Sequence, residues 1–175
     1  MSRSPITQMP EPWLRGTNES LPPVLRSVLH ALELAKEDID RWCGDLTFEE
    51  LNARPFGIEP VSFHLLHMAR SLDRLLTYAE GSQLSSVQEA ALESELASDY
   101  AREDVLAEWN AAFKAAGRRL HASAARDLNE PRSVGKKHLQ TTLGGLIIHI
   151  GDHVQRHVGQ VVTTVKVVKG SQIGS

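Results

Sequence analysis

Cysteine is almost missing from this chain of 175 residues: Cys43 stands alone, so no internal disulfide can form. A solitary thiol suits a reducing compartment. Aromatic residues make up only 5% of the chain, so aliphatic side chains must fill most of any interior. Charge of one sign is scarce as well. A net charge of −3 leaves no electrostatic footprint for nucleic acid or an anionic membrane, and neither is expected as a partner. There is no uninterrupted apolar run of about 18 residues and no apolar stretch of signal-peptide type near the start. The expectation is a soluble, cytoplasmic protein. No internal repeat or low-complexity segment organises the chain.

What the chain does have is periodicity. Its length suits one domain with a proper core. Residues 1–19 hold three prolines and little pattern, and read as an extended N-terminal arm. Ser20 is a candidate N-cap, and Pro22 and Pro23 suit a first helical turn, where a missing amide proton does no harm. Leu25, Val28, Leu29, Leu32, Ala35, Ile39 and Trp42 then recur at three- and four-residue steps. They form one apolar helix face that should end near Gly44. Thr47-Phe48-Glu49-Glu50 has the spacing of a capping box. A second helix should start at Pro60 and stop at Gly81-Ser82, on Val61, Leu65, Met68, Leu72, Leu75, Leu76 and Ala79.

Residues 82–99 are polar and acidic, with a weak helical pattern at most. A third helix is expected from about Asp99 to Leu128, on Val105, Trp109, Ala112, Phe113, Ala116 and Leu120. A fourth should run from about Thr141 to Val168, on Leu143, Leu146, Ile147, Ile150, Val154, Val158, Val161, Val162 and Val165, leaving a tail at 169–175. Its valines suit a strand, but three- and four-residue spacing over so long a stretch argues for helix. Arg132, Lys136, Lys137 and His138 read as a solvated loop. With no convincing strand, the fold class is all-α: a four-helix bundle over residues 20–168, in which each stripe needs the other helices to cover it. The connection between the second and third helices is long enough for a crossover.

Histidine is abundant, at eight residues, and "HIGDHVQRH" places His149, His153 and His157 at strict four-residue spacing. A helix turns about 100° per residue, so with His149 at zero His153 lies at ~40° and His157 at ~80°, against an apolar stripe near ~135°. His157 therefore faces closest to the core, His153 sits at its margin, and His149 looks outward with Asp152 and Arg156. A pair of imidazoles one turn apart makes a bidentate half-site for a divalent metal, because imidazole suits zinc, nickel, copper and iron. An isolated pair of this kind is more often surface decoration or packing. A catalytic site usually wants three protein ligands and an open position. The second helix offers His64 and His67, and the same count puts His64 about 65° from its stripe and His67 ~125° away. Geometry alone leans to His64. Neither pair has the HExxH form of a zinc protease.

"HMARSLDRLLTYAEG", followed by "LGGLIIHIGDHVQRHVGQ", resembles the DinB-like family of bacterial metal-binding helical bundles, which includes the YfiT-type proteins. "LTFEELNARPFG" is similar to that family as well. The resemblance covers roughly residues 20–168, and its most specific element is H-x-x-x-H-x-G-Q at 153–160. It implies a four-helix bundle, commonly a homodimer, that holds a divalent cation, often zinc or nickel, on three histidines. Carried over by position, these are His67, His153 and His157, so the resemblance picks His67 where the wheel leans to His64. His64 stays the alternative, and either His64 or His149 is a candidate to steady a ligand from behind. Ser71 and Tyr78 share the side of the second helix that carries His67 and are possible pocket residues. Gly159 would let another helix approach closely, and Gln160 is a candidate hydrogen-bond bridge across one end of the bundle.

Relatives in the family look like thiol-dependent transferases, which join a low-molecular-weight thiol to an electrophile, or are called metal-dependent hydrolases. A three-histidine metal with an open position suits either, by lowering the pKa of a bound thiol or water. Hydrolysis wants a general base. No glutamate is placed for that role by the pattern, and Asp152 points away, which favours thiol activation over a small-molecule hydrolase. The competing class is a non-catalytic helical dimer with a structural metal or a stress-linked binding role. Cys43, at a helix end beside Trp42, has no neighbour to activate it and reads as a buried thiol. His30, His121 and His138 read as surface or packing residues.

Overall fold

The computed structural model describes residues 9–96 and 100–173. Four long helices carry the core: α1 (Pro23–Cys43), α3 (Val61–Ala79), α5 (Arg102–Ala122) and α6 (Leu143–Ile173). Shorter helices α2 (Phe48–Asn52) and α4 (Ser86–Glu93) lie in the first two connections, and a two-stranded antiparallel hairpin, β1 (Pro131–Val134) and β2 (Leu139–Thr142), precedes α6.

The expected stripes are the buried faces. Leu25, Leu32, Ala35 and Ile39 of α1, Val61, Leu65, Met68 and Leu72 of α3, Val105, Trp109, Ala116 and Leu120 of α5, and Leu143, Ile147, Ile150, Val154 and Val161 of α6 are all buried in one cluster. Full burial of side chains of this size contributes roughly 1.5–3 kcal/mol each, which is what holds four amphipathic helices in register. Trp42, Leu75, Ala112, Phe113 and Val162 are half-buried and pack against the same cluster.

Cross-helix bonds show which way the helices run. Gln155 Nε2 donates to the Ala31 carbonyl (2.6 Å), and Lys169 pairs with Asp45 just beyond α1 (2.8 Å), so α1 and α6 are parallel. His64 meets His157 and His67 meets His153, so α3 is antiparallel to α6. Arg70 pairs with Glu108 (2.8 Å), and Arg119 pairs with Asp73 (2.7 Å) and Glu80 (2.6 Å), so α5 runs alongside α3 in the same direction. Two consecutive parallel helices need a connection that returns along the bundle. The 19 residues of α3 span roughly 28 Å, and the expected crossover between α3 and α5 carries α4 in its described part.

Local signals account for most boundaries. The Thr47 capping box forms in full, with Glu50 N–H donating to Thr47 Oγ1 (3.2 Å) and Thr47 N–H donating to Glu50 Oε2 (2.9 Å). Pro60 occupies the N-cap of α3. Several details depart from expectation. Pro22, not Ser20, is the N-cap of α1. The 82–99 stretch contains a real helix, α4, opened by a second capping box between Ser85 and Gln88. α5 ends at Ala122, short of Leu128, and its expected start at Asp99 lies outside the described residues. α6 starts at Leu143 and continues past Val168 to Ile173. The arm is not simply extended: Pro12–Leu14 form a 3-10 turn, and the segment is tied to α1 through Arg15–Glu37 and Asn18–Glu33. Residues 1–8 of that arm lie outside the described residues.

The basic loop is the largest correction. It is the β-hairpin, and Arg132 is buried rather than solvated. Its Nε donates to the Ala79 carbonyl at the end of α3 (2.6 Å) and its second terminal nitrogen to Glu130 Oε2 (2.7 Å). Gly144 seats the hairpin's base on the preceding turn, donating to the Leu128 carbonyl (2.8 Å). A β-carbon at that position would stand 3.1 Å from that oxygen, so a larger residue would push the two apart.

Candidate metal centre

The antiparallel pairing of α3 and α6 brings two histidine pairs face to face. His67, His153 and His157 each offer one ring nitrogen, and these three atoms lie within 4.8 Å of one another. His67 Nε2 is 3.1 Å from His153 Nε2. The ring centroids of His67 and His157 are 4.6 Å apart and those of His153 and His157 4.7 Å. Two imidazole nitrogens bound to one zinc at about 2.0–2.1 Å stand roughly 3.4 Å apart at a tetrahedral angle. The spread is one that small ring rotations bring within reach of a single ion, and an all-imidazole donor set suits a borderline divalent metal.

The wheel's leaning to His64 as the inward residue holds for burial but not for the cluster. His64 is buried at 6% exposure, whereas the half-buried His67 is the one that faces His153 and His157. A ligand belongs at the edge of the packed interior, where a position can stay open to solvent. His64 instead sits behind the cluster, its Nδ1 3.1 Å from His157 Nδ1. That contact occupies the Nδ1 side of the His157 ring. His149 stays outside: it is half-exposed, near Asp152 (3.3 Å).

His67 is held more firmly still, by a residue that the pattern did not reveal. Its Nδ1–H donates to Glu95 Oε2 at 2.7 Å, and Glu95 is buried at 3% exposure. Donation from Nδ1 leaves Nε2 of the neutral ring with its lone pair directed at the other histidines. Arg74 pairs with the other carboxylate oxygen and also donates to Ser71 Oγ (3.0 Å), which in turn lies 3.4 Å from His67 Nε2. Phe63 stacks on the His67 ring, centroids 5.5 Å apart. Glu95 comes from the 3-10 turn that follows α4, within the acidic stretch that had no stripe to read. Its one sequence signal is that a helix-sized return past α3 must bring some of those carboxylates near α3's polar side.

Electrostatics keep His64, His153 and His157 neutral. Burial first, then the neighbouring histidines, lower the His64, His153 and His157 pKa values to about 4, and the Arg156 guanidinium adds to the effect at His153 and His157. At neutral pH their lone pairs are not in competition with protons. Burial raises the Glu95 carboxyl, but hydrogen bonds from His67 and Arg74 outweigh it and hold the group below the usual carboxylate range.

The remaining candidates separate. Ser71 is buried beside His67, as noted. Tyr78 is buried in the hydrophobic cluster, further along α3. Gln160 is exposed and makes no bridge across the bundle; it lines a cleft of about 600 Å³ together with His64, Arg156 and Thr164. A β-carbon at Gly159 would meet nothing within 4 Å, so among the described residues no other helix approaches it. Cys43 is fully buried and burial pushes its thiol up to about 12, which removes it as a nucleophile at neutral pH. His30 is a packing residue, its Nε2 3.0 Å from Thr17 Oγ1.

A protein-family model described as the DinB superfamily matches residues 31–161, a span that holds the whole histidine cluster and most of the bundle. The chain belongs to the DinB superfamily. No curated protein matches it. As a DinB-superfamily member, the protein carries its three-histidine cluster on the two helices that the H-x-x-x-H-x-G-Q and "HMARS" motifs mark. No helix among the described residues is long and apolar enough to cross a membrane.

Proposed function

We propose that this DinB-superfamily protein is a divalent-metal-dependent enzyme of thiol S-transferase type, with His67, His153 and His157 as the ligands of zinc or nickel. The observation that carries the reading is the convergence of three half-buried imidazoles, two of them steadied from behind, His67 by Glu95 and His157 by His64. A divalent ion held there would lower the pKa of a bound thiol or water and so supply a nucleophile at neutral pH. The chain's part is to fix the donor atoms. Glu95 and Arg74 set the tautomer of His67, and Phe63 limits its ring rotation.

The choice of thiol over water rests on where the carboxylates are. Hydrolysis needs a base that can take a proton from water. Glu95 is engaged on the far nitrogen of His67, and Glu59, the carboxylate lining the cleft, is paired with Arg54 at 2.5 Å. A thiol acidified by coordination makes less demand on such a group. The three ligand histidines are only half-buried, which speaks for a position open to a substrate and against a closed structural metal.

Elemental analysis of the native protein beside His67→Ala and His153→Ala tests the ligand set. The expected result is close to one divalent ion per native chain and a large loss in both variants. Equal metal content in all three refutes the assignment. A panel of low-molecular-weight thiols with an electrophile then tests the reaction, and ester or amide cleavage without any thiol would move the assignment to a hydrolase.

A further inference from the structure

The stretch that follows α3 is held down by a charge and not by an apolar face. Among the described side chains of residues 81–95, Glu95 is the only buried one. The apolar residues of α4 face solvent: Val87 is 76% exposed and Leu92 46%. Beneath α4 lies a cavity of about 360 Å³, walled by Ala69 of α3, Ala91 of α4 and Ala111, Ala112 and Ala115 of α5. Alanine side chains are too short to close that space, so α4 gains little from apolar burial.

What fixes the segment is polar. Gln88 Nε2 donates to Asp73 Oδ2 (2.6 Å) and Thr77 Oγ1 (2.8 Å). Further on, Arg70 donates to the Ala91 carbonyl (3.2 Å) and Ser94 Oγ (3.1 Å), and the Tyr100 hydroxyl donates to the Ser94 carbonyl (2.6 Å). Water competes for bonds like these near the surface, and each adds little net stability. Glu95 is different. A buried carboxylate keeps its place only while it is paired. Its partners are the Arg74 guanidinium and His67 Nδ1–H (2.7 Å). The first is a fixed charge. The second depends on what His67 Nε2 meets. A divalent ion on Nε2 would draw electron density from the ring and make Nδ1–H a stronger donor to the carboxylate.

We infer that residues 85–95 form a metal-coupled latch: a divalent ion on the three histidines tightens the His67–Glu95 contact and so clamps α4 over α3 and α5. The coupling is reciprocal, because whatever factor the docked carboxylate adds to metal affinity, the metal adds to docking. The inference rests on the three-histidine metal reading and is independent of the reaction that the metal serves.

Hydrogen–deuterium exchange of the full chain, with and without saturating zinc, tests the latch. The readout is the protection of residues 85–95 relative to the hairpin at 131–142. The hairpin takes no part in the cluster, so the comparison separates a local gain from a general one. Native mass spectrometry gives the zinc content and circular dichroism the fold. Zinc is expected to raise the relative protection about 10- to 100-fold in wild type. The gain should fall to within about threefold in Glu95→Gln, and likewise in Glu95→Asp, which keeps the charge but is one methylene too short to reach both partners. Glu95→Asp decides the matter if the glutamine variant does not fold. Zinc-loaded wild type whose residues 85–95 gain no more protection than the hairpin overturns the latch and leaves the metal reading in place. An equal gain in wild type and a folded Glu95 variant overturns it as well. Nickel replaces zinc if zinc does not bind, and a chain that binds neither overturns the metal reading and the latch with it.

Discussion

Replacing Glu95 with glutamine separates a metal site steadied from behind from a chance meeting of histidines. The carboxylate accepts from two donors at once, His67 Nδ1–H at 2.7 Å and the Arg74 guanidinium, while only 3% exposed. Glutamine has the same shape but one acceptor oxygen. It can satisfy His67 or Arg74, not both, and its amide N–H₂ must face the other. If the amide faces His67, the ring is driven to the tautomer with its proton on Nε2, the nitrogen that looks toward His153. Binding a metal must then reverse the tautomer and strand a buried donor. Loss of such an outer hydrogen bond costs about 10- to 100-fold in metal affinity, or about 1.4–2.8 kcal/mol at 1.4 kcal/mol per decade. A competition titration against a chromophoric zinc chelator at pH 7.5 measures it, with circular dichroism confirming the fold and nitrogen-15 resonance of the His67 ring reporting the tautomer. A folded Glu95→Gln protein that binds zinc within about threefold of wild type, with the His67 tautomer unchanged, would refute the reasoning.

Stability of the metal-free protein should fall on mild acidification. His64, His153 and His157 titrate at about 4 in the fold against 6.5 in an open chain, so between these values the unfolded chain binds more protons. The stabilisation is complete above about pH 7 and is lost as pH falls through 6.5 toward 4. Thermal melts from pH 7 to 4.5, above the range where the paired carboxylates titrate, should show a steady decline, and a flat profile would contradict the neutral cluster. Arg132→Ala should destabilise the fold by about 1–3 kcal/mol, because it strands the buried Ala79 carbonyl at the end of α3; urea unfolding with an unchanged midpoint would show that the hairpin is not an anchor.

Much of this fold could be read along the chain because helix burial is periodic. Every residue of the expected α1 and α6 stripes is at least half-buried, and Pro60 and Thr47 sit where their caps were expected. α4 escaped because it has no such stripe: Val87 and Leu92 are exposed, and its start rests on the Ser85–Gln88 box. The hairpin escaped because each strand has four residues and its anchor is a charged side chain.

By itself the sequence determined that four amphipathic helices would bundle and that His153 and His157 would share one face, because both follow from about 100° of turn per residue. For the third histidine, periodicity leaned to His64 and only the family resemblance pointed to His67; the retreat of His64 behind His157 and the arrival of Glu95 at His67 were decided only by the tertiary structure. Those contacts depend on the antiparallel register of α3 against α6 and on the path of the crossover. Such relations between separate segments are set by packing, which no local spacing records.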